Sequence, residues 1–220
     1  MKKLLRKSTV GAVAIVGLLG LGQTASAGQQ APVRITVAIY NYAQVPRGTV
    51  HQAQEVASRI YSEVGVTLEW VDPDTVLVHN PNPAARQSLL TSMLQVNLLS
   101  SSMEARRAAP MGVMGVAAPG TRVAQVLYSR VMRTSMKSRK DLGRILGHVI
   151  AHELGHLLLP PNSHSKAGLM SAVLDLQAAG RGLLQFTGEQ ADLIRVKATE
   201  PHAAAPAVTN VMAAALTANE

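Results

Sequence analysis

The chain has 220 residues, no cysteine, one Trp and one Phe, and 21 Lys and Arg residues against 13 Asp and Glu. The absence of thiols excludes disulfide bridges and thiolate metal sites, so stability has to come from a packed core. Few aromatics leave that core to Val, Leu, Ile, Met and Ala, and roughly 190 residues after a leader suffice for one domain.

Residues 1–27 read as a secretory signal peptide. Lys2, Lys3, Arg6 and Lys7 precede an apolar run from Val10 to Leu21, and Ala25-Ser26-Ala27 is a small-residue cleavage site. The apolar run is too short to span a bilayer comfortably. Cleavage after Ala27 removes four bases and leaves 17 against 13 acids, a net charge of +4. There is no lipid-attachment cysteine and no twin arginine, so the expected destination is the periplasm or the medium, without a stable membrane span.

Val33 to Tyr42 alternates β-branched and aromatic residues and predicts a strand. Arg47 to Glu63 carries Val50, Ala53, Ala57, Ile60 and Tyr61 at helical spacing, with Gly65 as a stop, and Val66 to Val71 predicts a second strand. Strand, helix and strand at this spacing make a βαβ unit with a parallel pair. His51 on that helix, between polar neighbours, reads as a solvated residue. Asp72 to Arg86, broken by Pro73, Pro81 and Pro83, reads as loop with a short strand at 75–79. Leu89 to Leu99 has the Leu and Met content of a helix, but its alternation favours a strand from about Met93; a polar connection to Pro110 follows, and another strand over Val123 to Tyr128.

Between them, Met111 to Pro119 is a small-residue apolar segment. A basic region follows, with Arg122, Arg130, Arg133, Lys137, Arg139, Lys140 and Arg144 opposed only by Asp141. It lacks interleaved aromatics and any nucleic-acid motif, so it reads as a solvated face and nucleic acid is not an expected partner. Asp141 to Leu159 predicts a helix from Leu142, Ile145, Leu146, Val149 and Ile150, capped by Ser138 or Asp141. Leu174 to Leu184 is loop or short helix broken by Gly180 and Gly182. Thr187 caps a last helix, Gly188 to Lys197, with Leu193, Ile194 and Val196 expected on its apolar side. Residues 28–198 form the expected catalytic domain, and 199–220 an Ala- and Pro-rich flexible tail.

The chemistry is concentrated in His152-Glu153-Leu154-Gly155-His156 on the predicted helix. His152 and His156 stand one turn apart on one face, where two imidazoles can share one metal ion. Glu153 is rotated by about 100° from His152, poorly placed to bind the ion but able to reach a water on it as a general base. A catalytic zinc takes three protein ligands and keeps a fourth position open. Pro160 and Pro161 force the chain out of the helix, Asn162 and Ser163 favour a turn, and His164 arrives eight residues after His156 with the chain reversing. His148 lies on the same helix face, but it and His156 are about 12 Å apart along the axis and cannot both bind the ion. It is expected to support the site or line the cleft.

HELGHLLLPPNSHS followed by AGLM resembles the metzincin clan of zinc endopeptidases, whose pattern is H-E-x-x-H-x-x-G-x-x-H and then a methionine turn. The string is also similar to that of small secreted bacterial proteins predicted to be zinc proteases. The resemblance implies zinc on His152, His156 and His164, Glu153 as general base, and Met170 in the Met-turn. It implies a zincin-like α/β (α+β) fold: a mixed, mostly parallel twisted sheet with a backing helix, the zinc-site helix, the turn and a C-terminal helix. Val113 to Ala117 would then be the cleft-edge strand that pairs with an extended peptide substrate. The chain departs from the clan in placing the third His eight rather than six residues on, in carrying Leu159 where the glycine stands, and in having no tyrosine after Met170. Glu189, or Asp175, remains an alternative third ligand, as in gluzincins, and a non-catalytic zinc-stabilised envelope protein is a second alternative.

Overall fold

The computed structural model describes residues 33–200 apart from 80, 81, 108 and 118–120. The predicted leader and most of the predicted tail lie outside the described residues.

Strand β1 (Val33–Asn41), helix α1 (Arg47–Ser62) and strand β2 (Val66–Val71) form the expected parallel βαβ unit, with Val33 opposite Val66 and Ala38 opposite Val71. Gly65 takes φ +77 between α1 and β2, a left-handed conformation that glycine adopts without strain. Strand β3 (Leu94–Leu99) pairs parallel to β1 on its other side, and β5 (Val123–Leu127) pairs parallel to β3. The short β4 (Gly115–Ala117) closes the edge antiparallel to β5, giving the order β2-β1-β3-β5-β4. The sheet is therefore mixed and mostly parallel, as the resemblance implies.

The stretch read as loop is helical. Pro73 opens α2 (Pro73–His79) and Pro83 opens α3 (Pro83–Ser92), at first-turn positions where the missing N–H is no loss. The Asn82 side chain caps α3 by accepting from the amides of Ala84 and Ala85. Together they carry Val76, Leu89 and Leu90 onto Ala38, Val71 and Met93, covering part of the sheet face turned away from the main core.

A second departure follows β5, where α5 (Tyr128–Ser138) begins without a break in a segment too polar to show an apolar stripe; only Val131 and Ser135 are buried. Its start is held by Glu104 from the short α4 (Ser101–Ala105). The buried Glu104 carboxylate accepts the Ser129 amide at 2.7 Å and the Ser129 hydroxyl, which satisfies a free amide of the first turn.

Helix α6 (Leu142–Leu158) crosses the main core. Asp141 caps it by accepting the Arg144 amide at 2.8 Å, whereas the Ser138 hydroxyl donates to the Ser135 carbonyl. Its three glycines cost about 1 kcal/mol each in helix propensity. Burial of Ile145, Leu146, Ile150 and Leu154, all at 0% exposure, returns roughly 1.5–3 kcal/mol apiece, so packing rather than propensity holds the helix. The glycines are also what lets it pack. A Cβ on Gly147 would stand 2.7 Å from the Ala53 carbonyl and one on Gly143 2.7 Å from the Gln52 amide carbon, so α1 rests directly on the α6 backbone.

Helix α7 (Leu176–Arg181) ends at Gly182 in the left-handed conformation. Helix α8 (Gly188–Thr199) carries the predicted Thr187 cap as a full capping box with Gln190. Its apolar side differs from expectation. Gln190, Ala191, Ile194 and Ala198 are buried, while Leu193 and Val196 are 40% and 66% exposed. No helix among the described residues is long and apolar enough to cross a membrane.

Four members of the basic region are likewise not simply solvated. Arg122 donates to the Ser92 carbonyl, Lys140 to the Gln177 side chain and Arg144 to the Gly180 carbonyl. The Arg130 guanidinium donates to the carbonyls of Ala109, Pro110 and Val113, tying α5 to the segment that leads into β4.

Candidate metal centre

His152 and His156 emerge from consecutive turns of α6. The helix stops at Leu159, whose extended conformation precedes Pro160 as the proline ring requires. Asn162 then takes φ +62, a left-handed position that asparagine tolerates, and this reversal carries His164 back over the helix. The Nε2 atom of His156 stands 3.1 Å from Nε2 of His152 and 3.1 Å from Nε2 of His164, and all three ligand atoms lie within 4.8 Å of one another.

The chemistry of this donor set fits zinc. His152 Nδ1 lies 2.7 Å from the Leu169 carbonyl, which can only accept, so Nδ1 carries the proton and Nε2 of the neutral ring presents a lone pair. His156 Nδ1 is 3.3 Å from the Ser163 hydroxyl. Burial first, then the charge of His152 and His164, pushes the His156 imidazole down to about 4, so it too is neutral. With all three Nε2 atoms unprotonated, their lone pairs would repel at this distance, and a cation between them would remove that repulsion. Ligands of a tetrahedral zinc with bonds near 2.05 Å are separated by about 3.3 Å, close to the spacing found here.

Beneath the triad, Met170 is fully buried against α6. A Cβ at position 155 would come within 2.6 Å of Met170 Sδ, so the glycine inside the HELGH string makes room for the methionine. The turn that carries it is held by the Ser165 amide on the Met170 carbonyl, and by the Leu169 amide on the Gln185 carbonyl. Leu169 thereby links turn and site, because its own carbonyl orients His152.

Glu153 is 5% exposed, and burial raises its carboxyl from 4.5 to about 8. A cation held by the imidazoles in the same cleft would oppose that shift and favour the carboxylate. The side chain lies against β4, where a Cβ on Gly115 would be 2.5 Å from Glu153 Cδ and Cγ. Nothing in the sequence singles out that glycine except its place in the small-residue segment.

The three histidines and Glu153 line one open cleft of about 730 Å³. One wall is the 110–117 segment with β4, and the other is Ser171 to Leu174 with Leu176, so most of the remaining lining is apolar. The other candidates stand elsewhere. His148 is fully buried, outside both the triad and the cleft lining, with Nδ1 donating to the Arg144 carbonyl and Nε2 without a partner among the described residues. Burial lowers its pKa and keeps it neutral. Glu189 is exposed in the first turn of α8, and Asp175 caps α7 by accepting from the amides of Gln177 and Ala178.

No family model matches the sequence, and no curated protein matches it. Among solved structures the chain is similar to archaemetzincin from Methanopyrus kandleri, at 18% identity and a TM-score of 0.38, over 78% of this chain and 98% of that one. A likeness this distant does not bear on what the chain does.

Proposed function

We propose that this protein is a secreted or periplasmic zinc-dependent endopeptidase, with His152, His156 and His164 as the zinc ligands and Glu153 as the general base. The observation that carries the reading is the convergence of three imidazole Nε2 atoms in the same cleft as a buried carboxyl. Zinc held by these imidazoles would supply a Lewis acid for the scissile carbonyl and for the attacking water. Glu153 accepts the water's proton and delivers it to the leaving amine. β4 offers an edge for an extended peptide backbone, since its partner β5 occupies only one side. The apolar walls favour substrates with uncharged side chains beside the scissile bond.

The direct test is metal removal. The purified protein is expected to carry about one zinc per chain by elemental analysis. Chelation should abolish cleavage of a peptide library, and stoichiometric zinc should restore it. A metal-free chain that still cleaves peptides would refute the reading.

Gly115 provides a second test. In Gly115→Ala the new methyl displaces the flexible end of Glu153 rather than any backbone, so the fold and zinc content should persist. Peptide hydrolysis should fall by about 100-fold, the scale of loss that a misplaced catalytic group produces. Wild-type kcat in this variant would show that Glu153 has no catalytic position to lose.

A further inference from the structure

Gln190, on α8 and 8% exposed, has both ends of its amide committed. Its Oε1 accepts the Thr187 amide at 3.0 Å and completes the capping box; its Nε2 donates to the Ser163 carbonyl at 3.0 Å. Ser163 is the residue immediately before His164, and its hydroxyl lies 3.3 Å from His156 Nδ1. One side chain from a helix far along the sequence therefore grips the backbone of the loop that carries one imidazole of the triad and sits beside another. His164 itself is exposed and lies after two prolines and a left-handed asparagine, so the α6 helix does not fix its direction.

We infer that Gln190 is a positioning residue for the metal centre, holding the 162–164 loop so that His164 faces His152 and His156. The inference rests on the zinc reading above. It accounts for a glutamine at the third position of α8, where glutamate would complete the capping box as well. Only the amide can accept from Thr187 and also donate to Ser163.

The two roles separate by substitution. Gln190→Glu keeps the acceptor for the Thr187 amide and replaces the donor facing Ser163 by a second acceptor. Thr187→Ala removes the capping hydroxyl and leaves the Gln190 amide on Ser163. Zinc affinity is read by competition with a chromophoric chelator, and the metal-free thermal midpoint by circular dichroism. Gln190→Glu should bind zinc about 10- to 100-fold more weakly, the usual loss when a group orienting a ligand is removed. Thr187→Ala should lower the metal-free midpoint and yet keep wild-type zinc affinity. Wild-type zinc affinity in Gln190→Glu overturns this inference alone, and so does an equal loss of affinity in Thr187→Ala. A wild-type chain that takes up no zinc overturns the metal reading with it.

Discussion

Glu153→Gln is expected to bind zinc as the wild type does and to hydrolyse peptides about 10³-fold more slowly, within the range that one general acid–base group contributes. The amide has nearly the volume of the carboxyl and leaves the contact with Gly115 intact, so lost activity reports lost proton transfer rather than repacking. Single-turnover hydrolysis of a peptide found in the library screen measures it, with elemental analysis as the control. Wild-type turnover in a zinc-loaded variant would remove Glu153 from the mechanism.

The same substitution has a signature in the metal-free chain. There burial raises the Glu153 carboxyl from 4.5 to about 8, so the folded state holds a proton that the unfolded state releases. The stabilisation of the protonated form is complete below about pH 4.5 and is lost as pH rises towards 8. The amide that replaces the carboxyl does not titrate, so the difference in stability between the two metal-free proteins should grow in favour of the variant across that interval. Urea unfolding at pH 5 and pH 8 reads it directly.

The second large effect is that of His164→Ala. Loss of one of three imidazoles leaves His152 and His156 as a two-point site and should weaken zinc by more than about 100-fold, beyond the loss from removing an orienting group. The fold should survive, because His164 is exposed and the core beneath it is built by Leu154, Leu169 and Met170. Full zinc content in the variant would return the third-ligand role to Glu189, despite its exposed place in the first turn of α8.

The departures from the sequence reading have a common physical origin. Helices α2 and α3 are hidden because prolines that open a helix look, in one dimension, like prolines that break one. α5 is hidden because two buried residues do not make a stripe, and its start is held by Glu104, remote in sequence. Leu193 and Val196 have the spacing of an apolar face, yet the small residues Ala191 and Ala198 take the buried positions beside Ile194. His148 has the right helical phase to support the site and is instead enclosed in the core, one turn away.

What the sequence determines by itself is local. Alternation and helical period define β1, α1, β2 and α6. The i, i+4 spacing of His152 and His156 puts both rings on one face, because 3.6 residues per turn leaves them no other arrangement. What only the tertiary structure decides is non-local: that the bend returns His164 to those rings, that Gly155 and Gly115 are glycines to admit Met170 and the Glu153 carboxyl, and that Gln190 grips the loop. Each of these depends on atoms from separate segments, eight to 38 residues apart, brought together by the burial of the core, and no pattern within a single helix or strand encodes such a meeting.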